Sequence, residues 1–401
     1  MGKLNNLHNL LLYLYAFSLS FEYWDWGIGG FSISKIVAII YIIFSFLNIR
    51  SFNYKRFISK QIIPLLLFVT FLMLSYLLNS NKYYMNTPII NTALLYNIIL
   101  LWFLTNHFAK NEKVAQLSLF SFALGGLLLS ILYVNDIGLV YRQGRVSVFG
   151  DNPNNQGTKI AISFLIFLFY TIYDTLKLKK KRFFLLIPLP LFMQFIADTA
   201  SRGALLTLLI GLFLIILFFK TNRIITKFIS LLVGLVFFII IYKWFLSNEL
   251  VQLRMNAFIE EQSLGGREDI WKNVFGLFLN SPLFGIGENG FNKEMIALYG
   301  TNKSAHNLFL YALSTSGIIG FSFIFIYLYK TYIHALFLLR KNKQHLYIIL
   351  YILVIFSMLR SGGSFGDKLI WFQFAIINGL YLFFYTKISN KKYYNENSMC
   401  N

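Results

Sequence analysis

Apolar residues recur along this chain in runs of about 17 to 25 positions, separated by short polar segments. A helix of that length crosses a hydrocarbon core of about 30 Å, and its backbone polar groups bond to one another. The pattern therefore predicts an all-α fold, a polytopic transmembrane helix bundle of about twelve spans. The predicted spans are residues 7–21, 33–48, 62–78, 88–106, 114–134, 157–173, 183–198, 203–219, 225–246, 305–329, 345–359 and 369–386.

Charged residues are sparse, and they divide unequally between the two sides of the predicted bundle. Only 13% of the 401 residues are charged, against about 25% in soluble domains, and 57% are hydrophobic. If the N-terminus is inside, the inner segments hold 22 of the 36 Lys and Arg residues and the outer segments hold 11, together with 13 of the 16 acids. The positive-inside rule then favours an N-in and C-in topology. The net charge of +20 indicates orientation and contact with anionic membrane lipids, and no nucleic-acid partner is expected.

The polar segments leave no room for a large soluble domain, so we expect one multispanning membrane domain over residues 1–401. The longest of them, residues 247–304, is predicted to be an external loop. Apolar side chains recur within it at helical spacing from position 270 to position 278, which predicts an amphipathic helix ending before Pro282. The single cysteine, Cys400, excludes a disulfide framework and a cysteine-based metal site.

His306 lies at the outer end of the tenth predicted span, within "TNKSAHNLFLYALSTSGIIG". We expect Ser304 to cap this helix and to place His306 in its first turn. A helix N-terminus disfavours the imidazolium form, so the ring is expected to be a neutral base at physiological pH. Asn307, Tyr311 and Ser314 follow as a polar stripe. The residues alone leave open an alternative, in which His306 is an interfacial side chain that only forms hydrogen bonds.

Two arginines occur at unusual places on the same predicted outer side. Arg202 in "ASRGALLTLLIG" opens a span that is otherwise free of charge, and charged groups at that depth are costly and often functional. The alternative is an arginine that reaches toward the interface and pairs with Asp198. Arg267 in "GGREDIW" precedes the amphipathic helix, and its alternative is a solvated loop charge paired with Glu268 or Asp269.

Further polar residues cluster at other outer helix ends. Arg142 and Arg145 precede "DNPNNQG", where Pro153 and Asn154 suit a turn into the sixth span. Arg360 precedes "SGGSFGDK" in a similar way. Arginines and helix N-termini facing one side form a cradle suited to a phosphate or diphosphate, and a neutral histidine nearby could activate a hydroxyl group.

A metal-dependent version of this chemistry has only weak support. Glu22 and Asp25 in "FEYWDWG" lie in the first outer loop, but two acids without histidine partners are a weak metal signal. We favour an interfacial aromatic loop there. The chain also lacks a P-loop, a dinucleotide-binding glycine motif and an H-E-x-x-H pattern.

The motifs together resemble the O-antigen ligase and O-antigen polymerase superfamily of bacterial envelope enzymes. The resemblance rests on "SRGALLTLLIGLFL", "GREDIWKNVFGLFLNSPLFGIGENGF" and "AHNLFLYALSTSGIIGF", in that order. The motif region covers residues 142–329. Each motif is degenerate, but the ordered set, with a long outer loop between the first and the last, is fairly specific.

The resemblance implies transfer of a glycan from undecaprenyl diphosphate to an acceptor sugar hydroxyl, without a metal or other cofactor. The acceptor is a growing glycan in a polymerase and lipid A-core in a ligase, and the sequence does not separate the two. The implied location is the bacterial inner membrane, with the active site facing outside. By motif match, Arg202 and Arg267 bind the diphosphate, His306 activates the acceptor, and Asn307 orients the histidine or the substrate. Arg142, Arg145, Asn154 and Arg360 match less closely and are expected to contact substrate.

A transporter or flippase is the alternative from another class, since about twelve helices are common there too. A transporter is expected to place its decisive polar groups near the bilayer midplane. Here the sequence concentrates them at outer helix ends, and it shows no internal repeat, so the enzyme hypothesis is favoured.

Overall fold

The computed structural model describes residues 2–24, 32–48, 56–80, 82, 92–219, 267–342, 344–360 and 365–398, with isolated positions between 239 and 256. These residues are mostly helical, as the apolar runs predict. The helices are α1 (Gly2–Ser18), α2 (Ile33–Leu47), α3 (Arg56–Asn79), α4 (Thr92–Phe108), α5 (Glu112–Val134), α6 (Pro153–Tyr173), α7 (Leu189–Asp198), α8 (Arg202–Leu217), α9 (Arg267–Asn280), α10 (Gly287–Tyr299), α11 (Leu308–Asn342), α12 (His345–Arg360) and α13 (Lys368–Ser398).

Several of these helices are suited to a membrane. Within the described residues, five segments are long and apolar enough to cross one, and four shorter helices are apolar as well. The prediction of an all-α membrane protein is therefore confirmed, whereas the count of twelve spans stays a prediction. The span predicted over residues 225–246 lies almost entirely outside the described residues, as does most of the loop between residues 247 and 266. The five long segments are Lys60–Asn79, Glu112–Val134, Pro153–Tyr173, Leu308–Arg340 and Lys368–Ile388.

Two local features differ from the sequence prediction. The span predicted over 183–198 is divided into a 3-10 helix (Lys179–Leu186) and the ten-residue α7, because Pro188 and Pro190 lack the N–H groups that would continue a helix across them. A β-hairpin also interrupts the all-α pattern. Its strands, β1 (Leu139–Arg142) and β2 (Arg145–Val148), pair antiparallel with Arg142 opposite Arg145.

The hairpin turn consists of Gln143 and Gly144, which both have positive φ. Two positive φ angles in a two-residue connection match the right-handed twist of the flanking strands. The pair Gln-Gly is a weaker hairpin signal than Asn-Gly or Asp-Gly, which explains why the short strands were not predicted from the sequence.

The chain divides into two compact units. The first comprises Met1–Ile49 and Glu112–Gln262, and the second comprises Arg50–Asn111 and Ser263–Asn401. In the first unit, α6 is mostly buried and packs against α5, α7 and α8. In the second unit, α11 packs against α3, α9 and α12, and α4 packs against α13.

A loop of the second unit inserts into a break of α11. Gly317 interrupts the helix with φ 63°, and a Cβ built there would lie 2.2 Å from the carbonyl oxygen of Leu283. The loop replaces the hydrogen bonds that the break removes, because Ile318 N donates to Pro282 O at 2.8 Å and Ile286 N donates to Ser314 O at 2.9 Å. These bonds fasten the connection between α9 and α10 to α11, and so they help to hold α9 against the first half of α11.

Candidate functional site

In the first unit, Arg145 and Asn154 form one hydrogen-bonded cluster with the start of α8. Arg145 donates from Nε to Thr199 O at 2.8 Å and from Nη2 to Asn154 Oδ1 at 2.7 Å. Ser201 Oγ donates to the same Asn154 oxygen at 3.0 Å. Arg145 and Asn154, two of the residues expected to contact substrate, are therefore bonded to protein groups at Thr199 and Ser201, just before Arg202.

Arg202 is the first residue of α8 and is half-buried. Ser201 caps this helix, since its Oγ accepts a hydrogen bond from Ala204 N at 3.2 Å. Asp198, the alternative partner of Arg202 in the sequence analysis, accepts a hydrogen bond from the Tyr133 hydroxyl. The cap at Ser201 thus sets the start of α8. Arg145 of β2 and Asn154 of α6 hold the segment before this start through their hydrogen bonds.

Arg142 is placed differently from Arg145, although the two are register partners in the hairpin. The side chain of Arg142 is exposed at the hairpin tip, whereas that of Arg145 is half-buried. The expected turn at Pro153 and Asn154 is also only partly correct. Pro153 is already the first residue of α6, which Asn152 caps by accepting from Asn154 N at 2.9 Å.

Glu22, one of the two acids considered for a metal site, forms an ion pair instead. Glu22 Oε2 lies 3.2 Å from Lys159 Nζ, and Asp151 Oδ2 lies 3.3 Å from the same nitrogen, in a nearly water-free position. Burial raises the pKa of Asp151, and Glu22 raises it further, while Lys159 opposes both effects. Asp25 lies outside the described residues, and within the described part of the chain no three His, Cys, Asp or Glu side chains are grouped to hold a metal ion.

Aromatic contacts occur beside these acids, as the favoured interpretation of the first outer loop expects. Trp24 stacks on Phe149, with ring centroids 4.2 Å apart and planes 6° from parallel. Phe149 follows β2 and has a positive φ of 55°. The stacking therefore joins the residues after α1 to the end of the hairpin.

In the second unit, the cap of α11 differs from the prediction. The helix begins at Leu308, and Asn307 Oδ1 accepts hydrogen bonds from Phe309 N at 3.0 Å and Leu310 N at 3.1 Å. Asn307, not Ser304, is therefore the capping residue, and His306 precedes the helix instead of lying in its first turn. The reason is steric, because His306 has a left-handed φ of 51°, which cannot continue a right-handed helix.

His306 is half-buried and lies near positive charge. Its pKa is lowered from the ordinary value of 6.5, first by burial and then by the charges of Arg267 and Lys303. The ring is therefore neutral at physiological pH, as predicted, but burial and two cations account for this where the sequence suggested a helix dipole. Ser304 contributes a contact between its Oγ and His306 Nδ1, at 3.3 Å.

Arg267 and Arg360 meet at the ends of two helices of this unit. Arg267 opens α9 and donates from Nη1 to the backbone oxygen of Arg360, the last residue of α12, at 3.1 Å. Both arginines are half-buried, whereas Glu268 and Asp269, the alternative partners of Arg267, are exposed. The second unit thus brings together Arg267, Arg360 and His306, three residues that lie up to 93 positions apart.

The polar side chains expected as a stripe along α11 bond to other groups of the protein. Tyr311 is buried, its ring packs edge-on against Phe291, and its hydroxyl bonds to Glu288 at the start of α10. Ser314 Oγ donates to the carbonyl oxygen of Tyr311 at 3.0 Å. Tyr311 therefore stabilises the packing of α10 on α11, whereas the bond of Ser314 lies within α11.

Trp271 also contacts the site, and the sequence did not predict this contact. Its Nε1 donates to the carbonyl oxygen of Ala305 at 3.1 Å, immediately before His306. Trp271 follows Arg267 by four positions, so both lie on one side of α9. That spacing could have indicated a shared surface, but helical periodicity assigned Trp271 only to the apolar face.

The fold and these side chains define a multispanning helical membrane protein with arginines at helix ends and a neutral histidine at a helix entrance. Residues 185–325 match the family model of O-antigen ligase, about a third of the chain. This match confirms, over residues 185–325, the resemblance to the O-antigen ligase and polymerase superfamily that the motifs indicate. The matched segment contains Arg202, Arg267 and His306. No curated protein matches the chain.

Proposed function

We propose that this protein is a membrane glycosyltransferase of surface polysaccharide assembly in the bacterial inner membrane. In the proposed reaction a glycan passes from undecaprenyl diphosphate to a sugar hydroxyl of the acceptor, on the outer side of the membrane. The observation that carries the proposal is the neutral, half-buried His306, close enough to Arg267 for that charge to lower its pKa. A base beside a cation suits a reaction that removes a proton from a hydroxyl while negative charge develops on a leaving diphosphate.

The roles follow from the bonds that change. The bond between the sugar anomeric carbon and the diphosphate oxygen breaks, and its electron pair leaves with the diphosphate. The acceptor oxygen forms the new bond to that carbon, and its proton moves to His306. If Nδ1 carries its hydrogen toward Ser304 Oγ, 3.3 Å away, Nε2 holds the lone pair that receives this proton.

Arg267 is proposed to bind the diphosphate, because a guanidinium matches phosphate oxygens in charge and geometry. Arg360, whose backbone oxygen accepts the bond from Arg267, is proposed to add a second guanidinium for the diphosphate. The superfamily resemblance gives Arg202 the same role toward the diphosphate. Asn307, whose amide oxygen caps α11, is proposed to keep His306 at the helix entrance.

Arg145 and Asn154 are proposed to position Arg202. Their hydrogen bonds to Thr199, Ser201 and each other support this role better than a direct contact with substrate. Arg142, exposed at the hairpin tip, keeps the proposed role of a substrate contact.

The test uses the purified protein in lipid nanodiscs with a lipid-linked glycan donor. We expect Arg202→Ala, Arg267→Ala and His306→Ala each to insert normally and to lower formation of the new glycosidic bond on the order of 100-fold. Arg340→Ala is the matched control, since this arginine is exposed near the far end of α11, and it should retain full activity.

Two outcomes would count against the proposal. One is normal product from all three variants. The other is a wild-type protein that moves lipid-linked glycan across the bilayer without joining sugars, which is the result expected of a flippase. Ligase and polymerase activities share this chemistry and are separated by the glycan of a deletion strain. A single repeat on lipid A-core indicates a lost polymerase, and free lipid-linked polymer indicates a lost ligase.

A further inference from the structure

His306 is held between two hydrogen bonds that act on the backbone. On its C-terminal side, Asn307 Oδ1 binds two N–H groups of α11 and orients the peptide that follows His306. On its N-terminal side, Trp271 Nε1 binds the carbonyl oxygen of Ala305 at 3.1 Å and orients the peptide that precedes His306. The carbonyl belongs to a fully buried residue, so water cannot replace the indole as its donor without opening the packing.

The backbone at this position needs such support. His306 has φ 51°, a conformation disfavoured for a residue with a Cβ, and it persists only where the surroundings determine it. Rotation of the peptide between Ala305 and His306 would turn the imidazole away from its present direction. The indole N–H opposes that rotation at a fixed point on α9.

The donor residue is itself well anchored. Trp271 lies one turn after Arg267 in α9, whose buried residues include Ile270 and Val274. The loop after α9 is bonded into the break of α11 through Pro282 and Ile286. A displacement of Trp271 would therefore have to move α9 against α11.

We infer that Trp271 is a positioning residue for His306, acting through the carbonyl group of Ala305. This inference rests on the proposed function, in which His306 receives the proton of the acceptor hydroxyl. Trp271 touches none of the reacting groups in this scheme. Its loss should therefore reduce the rate of the chemical step and leave the binding of the donor unchanged.

The experiment removes the N–H group in two ways. Trp271→Phe removes it together with part of the ring, whereas benzothienylalanine at position 271 keeps the shape of indole and lacks only the N–H. Both variants are assayed in nanodiscs. We expect kcat to fall on the order of tenfold, with the KM for the lipid-linked donor unchanged within about twofold. The benzothienylalanine variant keeps the test valid if phenylalanine impairs folding.

Trp371 provides a matched control in the same unit. Its Nε1 donates to the carbonyl oxygen of Phe365 at 2.9 Å, so Trp371→Phe removes the same kind of bond at a different place. We expect this variant to keep wild-type kcat and KM. An equal loss of kcat in Trp371→Phe would mean that the effect is general loosening of the unit, and it would overturn the inference.

The double variant separates positioning from other roles. If Trp271 acts only through His306, Trp271→Phe should cause no further loss in a His306→Ala background. Additive losses, or a wild-type kcat for both variants at position 271, would overturn the inference while the proposed function stands. Full activity of His306→Ala would instead contradict the proposed function itself.

Discussion

Arg267 and Arg360 meet through one hydrogen bond, from the guanidinium Nη1 of the first to the backbone oxygen of the second, at 3.1 Å. This bond joins the start of α9 to the end of α12. The donor is a planar guanidinium, a group with five N–H donors. In the proposed function Arg267 also binds the diphosphate, so one residue would serve both the protein and the substrate.

Arg267→Lys tests this double use. A lysine keeps the charge but lacks the planar fork, so it cannot hold the Arg360 carbonyl and bind phosphate oxygens in the same way. We expect the KM for the lipid-linked donor to rise about tenfold. Steady-state kinetics in nanodiscs provides the measurement, and Arg340→Lys serves as the control. A KM equal to that of the wild type would refute the shared role.

The pH dependence of the reaction follows from the lowered pKa of His306. A general base acts when it is neutral, so kcat should be constant above this pKa and should fall as the pH decreases through it. Lys303→Gln removes one of the two cations that oppose protonation. The pKa of His306 should then rise, and the acid-side loss of activity should occur at a higher pH.

The displacement is expected to be small, because Lys303 is exposed and solvent screens its charge. Lys293→Gln is the control, since its amine donates instead to Lys82 O at 3.2 Å. A shift of the profile toward lower pH in Lys303→Gln would contradict the assignment of the base.

A substitution at Asn154 tests whether the hydrogen-bonded cluster before α8 positions Arg202. Asn154→Ala removes the oxygen that accepts from both Arg145 and Ser201, so we expect kcat/KM to fall about tenfold while the protein still inserts. Because Arg145 acts through the same oxygen, the losses of Asn154→Ala and Arg145→Ala should not add in the double variant. Asn135→Ala changes an exposed asparagine as a control. Fully additive losses would exclude a common role.

Lys159 should be important for stability. Lys159→Met leaves Glu22 and Asp151 together in a buried position, and we expect it to lower the free energy of unfolding by about 3–5 kcal/mol. Adding Glu22→Gln and Asp151→Asn should recover part of the loss, because no uncompensated charge then remains. Thermal unfolding of the purified protein measures both effects. A triple variant less stable than Lys159→Met would contradict this account.

Gly317 should not tolerate a side chain. A Cβ would lie 2.2 Å from Leu283 O, and φ is positive, so Gly317→Ala should lower the free energy of unfolding by about 2–4 kcal/mol. Gly276→Ala is the matched control inside α9, where a Cβ meets nothing within 4 Å. It should stabilise the protein by about 0.5–1 kcal/mol, since alanine favours the helix. Equal effects of the two substitutions on thermal unfolding would exclude the close approach as the cause.

The sequence was sufficient for features that depend on neighbouring positions. The apolar runs predicted the helices because a membrane span must satisfy its own backbone and therefore extends over a continuous segment. The amphipathic spacing predicted α9, and the order of the motifs predicted the match of residues 185–325 to the O-antigen ligase family model. The neutral state of His306 was also correctly predicted, although its physical cause was not.

Only the tertiary structure decided which groups meet. The choice of Asn307 over Ser304 as the cap depends on the left-handed backbone at His306, and the partner of Glu22 is a lysine 137 positions away. Trp271 contacts the site through the backbone carbonyl group of Ala305, and a backbone group gives no signal in the sequence. The periodicity and composition of the sequence indicate which secondary structure a segment prefers and which of its side chains are buried. Pairings between distant residues follow from how the helices pack, because that packing decides which donors and acceptors are removed from water together.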